Sequence, residues 1–249
     1  MLSELNCYSW DEIRAMDLEN VWYVLPISAL EQHGPHLPLG TDDMVLHAAL
    51  RQVLNDERVA ANMLLLPAVH MGNSHEHLAF AGTVSLSCST IVSIVRDILH
   101  SMKCTGVSKL IFVNGHGGNT QLLDAYAQEW EQEFRVRIFN ISLWCTAFYA
   151  DAAALIETPM AQEVHAGEIE TSLLQYARHE VVRTDKIGKG LDCPGNLSPF
   201  YSGWRSDVLS PDNGTIGVPS RANAATGQRL FHYTVEKIVK SLIEIPTLS

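Results

Sequence analysis

Short apolar runs alternate along the chain with longer stretches in which apolar residues recur every three or four positions. The runs at 21–28, 64–70, 109–114 and 136–143 are β-branched or leucine-rich, and they read as buried parallel strands. The stretches 42–54, 90–102, 120–134, 165–178 and 224–243 read as amphipathic helices. Thr41 stands where an N-cap belongs for the first helix, and Asn119 or Thr120 for the third. This alternation implies right-handed crossovers and an α/β fold, three-layer α/β/α with a mostly parallel central sheet. No repeat, linker or low-complexity segment divides the 249 residues, so one domain over 1–249 is expected. Segment 188–218 has Phe200 and Trp204 but no period, and is expected to be a long ordered loop over the sheet edge, a lid or an oligomer contact.

Composition narrows the function classes. The chain is 47% hydrophobic and 18% charged, too apolar for a disordered protein. Its net charge of −11 argues against nucleic acid or an anionic membrane as partner, since both need a positive field. No apolar run approaches the ~20 residues that span a bilayer, and the N-terminus has no signal-like apolar core. The five cysteines are irregularly spaced and contain no CxxC pair, which suits a reducing cytoplasm and neither a disulfide framework nor a zinc ribbon. Eleven histidines against 17 Lys+Arg is a high ratio, and histidine is the commonest metal ligand and neutral-pH acid/base.

In parallel sheets the ligand site lies outside the carboxyl ends of the strands, and there the histidines fall. After the first strand come Glu31 and His33, two apart and so on one side of an extended segment, then Asp42 and Asp43 at a helix start. After the second come His75, Glu76 and His77, and after the third His116 within Asn114-Gly-His-Gly-Gly-Asn119. Those glycines fit neither GxGxxG nor a P-loop, which disfavours a nucleotide-dependent oxidoreductase. On a helix, His165 and Glu168 would share a face, while Glu170 would point about 200° away from Glu168. Glu31, His33, Asp42, His116 and Glu168 make five ligands, with Asp42 able to bridge, enough for two divalent ions such as Zn²⁺, Mn²⁺ or Fe²⁺. A pair of that kind activates water and polarises a carbonyl.

Glu31-Gln-His-Gly-Pro-His-Leu-Pro38 with Thr41-Asp42, Asn114-Gly-His-Gly-Gly-Asn119, and His165-Ala-Gly-Glu168 with Glu170-Thr-Ser172 together resemble the creatininase (creatinine amidohydrolase) family. Gly217-Val218, Ala224 and Gly227 resemble its C-terminal pattern. The resemblance implies a creatininase-like fold, a binuclear metal site and a hexamer. It implies Glu31 and His116 on one metal, His33 on the other, Asp42 between them, and His165 as acid/base. Gly118 departs from creatininase, which has a glutamate there; relatives with a Gly-Gly pair take the carboxylate from the His-Ala-Gly-Glu motif, which gives Glu168. Ala81 replaces the proline of the family's Phe-Pro-Gly-Thr.

The expected function is therefore hydrolysis of a small-molecule substrate at a C–N bond of an amide, cyclic amide or formamide. His165 shuttles the proton, Glu76 or His77 orients substrate, and Trp144 or Trp204 walls the pocket. The alternatives are ring opening of a cyclic diketone such as a diketo-inositol, and a non-catalytic metal-dependent binding protein.

Overall fold

The computed structural model describes residues 2–144, 146–191 and 203–248. Its sheet has five strands: β1 (Ser3–Glu4), β2 (Trp22–Ile27), β3 (Met63–Leu65), β4 (Lys109–Asn114) and β5 (Arg137–Ser142). The helices are α1 (Trp10–Arg14), α2 (Thr41–Leu54), α3 (Cys88–Thr105), α4 (Gly117–Phe134), α5 (Thr146–Tyr149), α6 (Glu168–Ala177), α7 (Ser206–Leu209) and α8 (Ala224–Glu244). All strand pairs are parallel, in the order β1-β3-β2-β4-β5.

The period-two pleat sorts the core into two layers. Trp22 and Val24 of β2 pack with Leu46 of α2, Leu173 of α6 and Leu230 of α8 on one face. Tyr23, Leu25 and Ile27 pack with Val95 of α3 and Trp130 of α4 on the other. The α/β/α reading is therefore observed. Strands β2, β4 and β5 end level, with Ile27 opposite Asn114 and Asn114 opposite Ser142. The residues that follow these strands emerge side by side at one edge.

The elements depart from the sequence expectation at several ends, each for a local reason. β3 stops at Leu65 because Pro67 cannot donate to the ladder; Val69 regains the sheet only as a single bridge to Ile27. Thr41 is the first residue of α2 and not its acceptor cap, since its hydroxyl donates to Pro38 O at 2.7 Å. α4 starts at Gly117, earlier than Asn119 or Thr120 suggested. Ser87 and Asn223 cap α3 and α8 by accepting from the amides of Thr90 and Thr226. α6 begins at Glu168, three residues later than expected: His165 pairs with Ile216 as an antiparallel bridge, and Ala166 turns the chain at φ 53°.

Within 188–218, Leu191 bridges Gly217 and α7 forms a short turn; 192–202, including Phe200, lies outside the described residues. Cys7, Cys88 and Cys104 are free thiols, and Cys145 and Cys193 fall outside the described residues. Among the described residues no helix is long and apolar enough to cross a membrane.

Candidate metal centre

The loop leaving β2 is buried, so Glu31 and His33 point inward, at 1% exposure each. Asp42, on the first turn of α2, lies between them and His116. Its Oδ1 is 3.3 Å from His33 Nε2 and its Oδ2 is 3.1 Å from His116 Nδ1. His116 leaves β4 as the residue before α4, with its Nε2 3.4 Å from Glu31 Oε2. Glu31, Asp42 and His116 thus form one cluster of converging ligand atoms, and His33, Asp42 and Glu170 a second that shares Asp42.

Three ring tautomers are fixed from behind. His33 Nδ1 donates to Glu31 O (3.1 Å), His116 Nε2 to Asn73 O (2.7 Å) and His165 Nε2 to Gln32 O (2.7 Å). A carbonyl only accepts, so each of these nitrogens carries the proton and the other ring nitrogen faces the cluster. Metal-binding imidazoles are held in this way. Glu31 Oε2, His33 Nε2 and Asp42 Oδ2 are buried with no hydrogen-bond partner. Orphaned polar atoms are expensive, and three converging ones fit a pair of divalent cations.

The electrostatics agree. Burial pushes the Glu31 carboxyl up to about 8 despite the His116 charge beside it. Burial would lower the His33 and His116 rings, but Asp42 and Glu170 hold His33 well above its ordinary value and Glu31 and Asp42 hold His116 at about 10. Without a cation the protein holds protons on Glu31 as well as on these imidazoles, and cations would displace them. His165 and His77 are held neutral by burial and by the neighbouring imidazolium charge, His165 at about 4.

Glu168 lies outside both clusters. Its carboxylate accepts from the amides of Glu157 (2.9 Å) and Thr158 (2.7 Å) and so fixes that loop. Glu170 stands in the second cluster: its Oε1 is 3.7 Å from His33 Nε2, and its Oε2 accepts from Ala166 N. His165 is not on the helix, so the shared-face argument with Glu168 fails, and the turn at Ala166 brings His165 round to the side Glu170 faces.

His165 Nδ1 is 3.8 Å from Glu31 Oε1, and its ring stacks on His77 at 4.1 Å between centroids. Sequence reasoning gave His77 only a substrate-orienting part. Its Nδ1 accepts from Gln32 Nε2 (2.9 Å), which leaves Nε2–H aimed at Glu31 Oε1, 3.4 Å away. The signal was present as His75-Glu-His77, but only the single 3-10 turn there decides that His77 is buried and His75 exposed.

Glu76 lines the cavity and groups with Glu31 and His77. A Cβ at Gly118 would meet Asn73 O at 2.3 Å and Glu76 Oε1 at 3.1 Å, so no side chain fits at 118 and Glu76 reaches towards its place. The cavity over the cluster holds about 1190 Å³, walled by Trp144, Tyr149, Met160, Ile169 and Trp204.

A family model described as creatininase, creatinine amidohydrolase, matches residues 6–242. The chain is 32% identical to the mycofactocin precursor peptide peptidase of Mycobacterium ulcerans, over 90% of this chain and 86% of that protein. It is 27% identical to the creatinine amidohydrolase of Pseudomonas putida, over 89% and 88%. The solved structure of a manganese creatininase superposes with a TM-score of 0.81 at 24% identity, over 96% and 97% of the two chains.

Proposed function

Since the chain belongs to the creatininase family, a family of hydrolases, we propose that it is a two-metal amidohydrolase that cleaves the C–N bond of a peptide-like amide. One observation carries the reading: Glu31 Oε2, His33 Nε2 and Asp42 Oδ2 are buried, without a hydrogen bond, and convergent. Glu31, Asp42 and His116 would hold one ion, and His33, Asp42 and Glu170 the other. When bound, such ions polarise a substrate carbonyl and lower the pKa of water.

The chain's own groups supply the rest. His165 is neutral at pH 7 and presents Nδ1 to the cavity. It takes a proton from the attacking water as the C–O bond forms, and returns it to the nitrogen as the C–N bond breaks. Gln32 O fixes that ring, while Gln32 Nε2 also donates to Gly214 O at 3.0 Å, tying the loop after β2 to the segment before Ile216. His77 is a positioning residue that aims Glu31. Glu76 offers a carboxylate for a substrate amine or amide N–H.

The size of the cavity favours a peptide end over a small ring such as creatinine. The peptidase names of the 32% identical relatives support C–N cleavage rather than ring opening of a diketone. A hexamer in the cytoplasm, implied by family resemblance and cysteine usage, belongs to the same proposal; light scattering reads the hexamer.

The test is metal content and turnover on a panel of creatinine, formamides and short peptides. We expect peptide cleavage by the metal-loaded enzyme. His116→Ala should lose at least half of the bound metal and ~10²–10³-fold in kcat/KM, a loss typical of removing a group that stabilises developing charge. Full activity of metal-free protein would overturn the reading, and turnover of creatinine alone would overturn its peptide part.

A further inference from the structure

Beside the catalytic cluster, part-way around the first turn of α2, stands a second group of ligand atoms. Asp43 follows Asp42 by one residue, about 100° around the helix, and so faces away from the catalytic pair. His47 lies one turn on along α2, and His70 follows the bridge that Val69 makes to Ile27. His70 Nδ1 is 2.8 Å and His47 Nε2 3.4 Å from the same oxygen, Asp43 Oδ1. The two rings stack at 5.3 Å with 24° between their planes. The three ligand atoms lie within 4.8 Å of one another.

The arrangement is poorly explained by hydrogen bonding alone. One carboxylate oxygen is asked to serve two imidazoles and also accepts from Ser28 Oγ at 2.7 Å. His47 Nε2 is shielded from solvent and has no hydrogen bond of good geometry. A cation with bonds of about 2.0–2.2 Å to nitrogen and oxygen separates its ligands by roughly 3.3 Å when tetrahedral. The distances of 2.8 and 3.4 Å to Asp43 bracket that value, and His70, 58% exposed, is free to widen the shorter one. Ser28 anchors the carboxylate as outer-shell donors do.

We infer that Asp43, His47 and His70 form a third divalent-metal site, separate from the catalytic pair, that takes a borderline transition cation such as Zn²⁺ and completes its shell with water. Two imidazoles and one carboxylate select Zn²⁺, Ni²⁺ or Cu²⁺ over Mg²⁺ or Ca²⁺. Its ion would clamp the start of α2, which carries Asp42, to the segment running from His70 to His77 along the cavity wall.

The experiment compares the unmodified protein with His70→Ala and His47→Gln after equilibration at matched free Zn²⁺, with bound metal measured by elemental analysis. The parent should bind one equivalent more than either variant, however many ions the catalytic cluster holds. His116→Ala should retain this outer equivalent. Calorimetric Zn²⁺ titration should show a class of sites missing from His70→Ala. Co²⁺ should give the parent visible d–d bands that His70→Ala lacks. Equal zinc equivalents and the same cobalt spectrum in parent and folded His70→Ala would overturn the proposal.

Discussion

Glu168 and Glu170 stand two residues apart on α6 and do unrelated work. The carboxylate of Glu168 receives two backbone amides, and that of Glu170 faces His33. Charge-neutral substitutions separate the two roles. Glu170→Gln should weaken metal binding and cut turnover while leaving the fold in place. Glu168→Gln should keep the metals and lose about 1–3 kcal/mol of stability, because a carboxamide accepts less well from two amides. Metal content and chemical denaturation of both variants read the difference; metal loss confined to Glu168→Gln would overturn the assignment. The choice between them was not legible in the sequence. It depends on the left-handed turn at Ala166, set by a bridge to Ile216 fifty residues later. Glu31, His33, Asp42 and His116 were legible because each sits where a strand ends or a helix starts, and sequence patterns mark those places well.

Among the elements, the helices that hold the site are locked by close backbone approach. A Cβ at Gly227 of α8 would lie 1.9 Å from Ser172 O of α6, so only glycine lets these helices cross at this distance. Gly227→Ala should push α8 away and cost ~1–3 kcal/mol, as overpacking does. Because α6 carries Glu170, metal affinity should fall along with the denaturation midpoint; unchanged stability would refute the contact. The pattern of apolar positions foretold the central strands and the long helices. It did not foretell β1, a two-residue edge strand, or the early end of β3, since such short segments carry too few residues for a period to register.

For the molecule as a whole, acid should be the weak side. Burial lowers His36 to about 4, with Thr171 Oγ1 2.9 Å from its Nε2. The unfolded chain takes up this proton near pH 6.5 and the folded one only near 4, so stability is full above 6.5 and falls as pH drops towards 4. His36→Gln removes the term, on the order of 2–3 kcal/mol at pH 4. Its melting temperature should decline less than the parent's between pH 6.5 and 4.5, and parallel declines would rule the effect out. The net charge of −11 also reads differently once Glu31, Asp42 and Glu170 are known to be buried: those three carboxylates belong to the interior. The centre they form has a further consequence in time. One cluster draws only on residues between 31 and 116, whereas the other also needs Glu170, 54 residues further on. On the two-metal proposal, a chain made only as far as His116 could offer one ion its ligands, and the other ion would wait for Glu170.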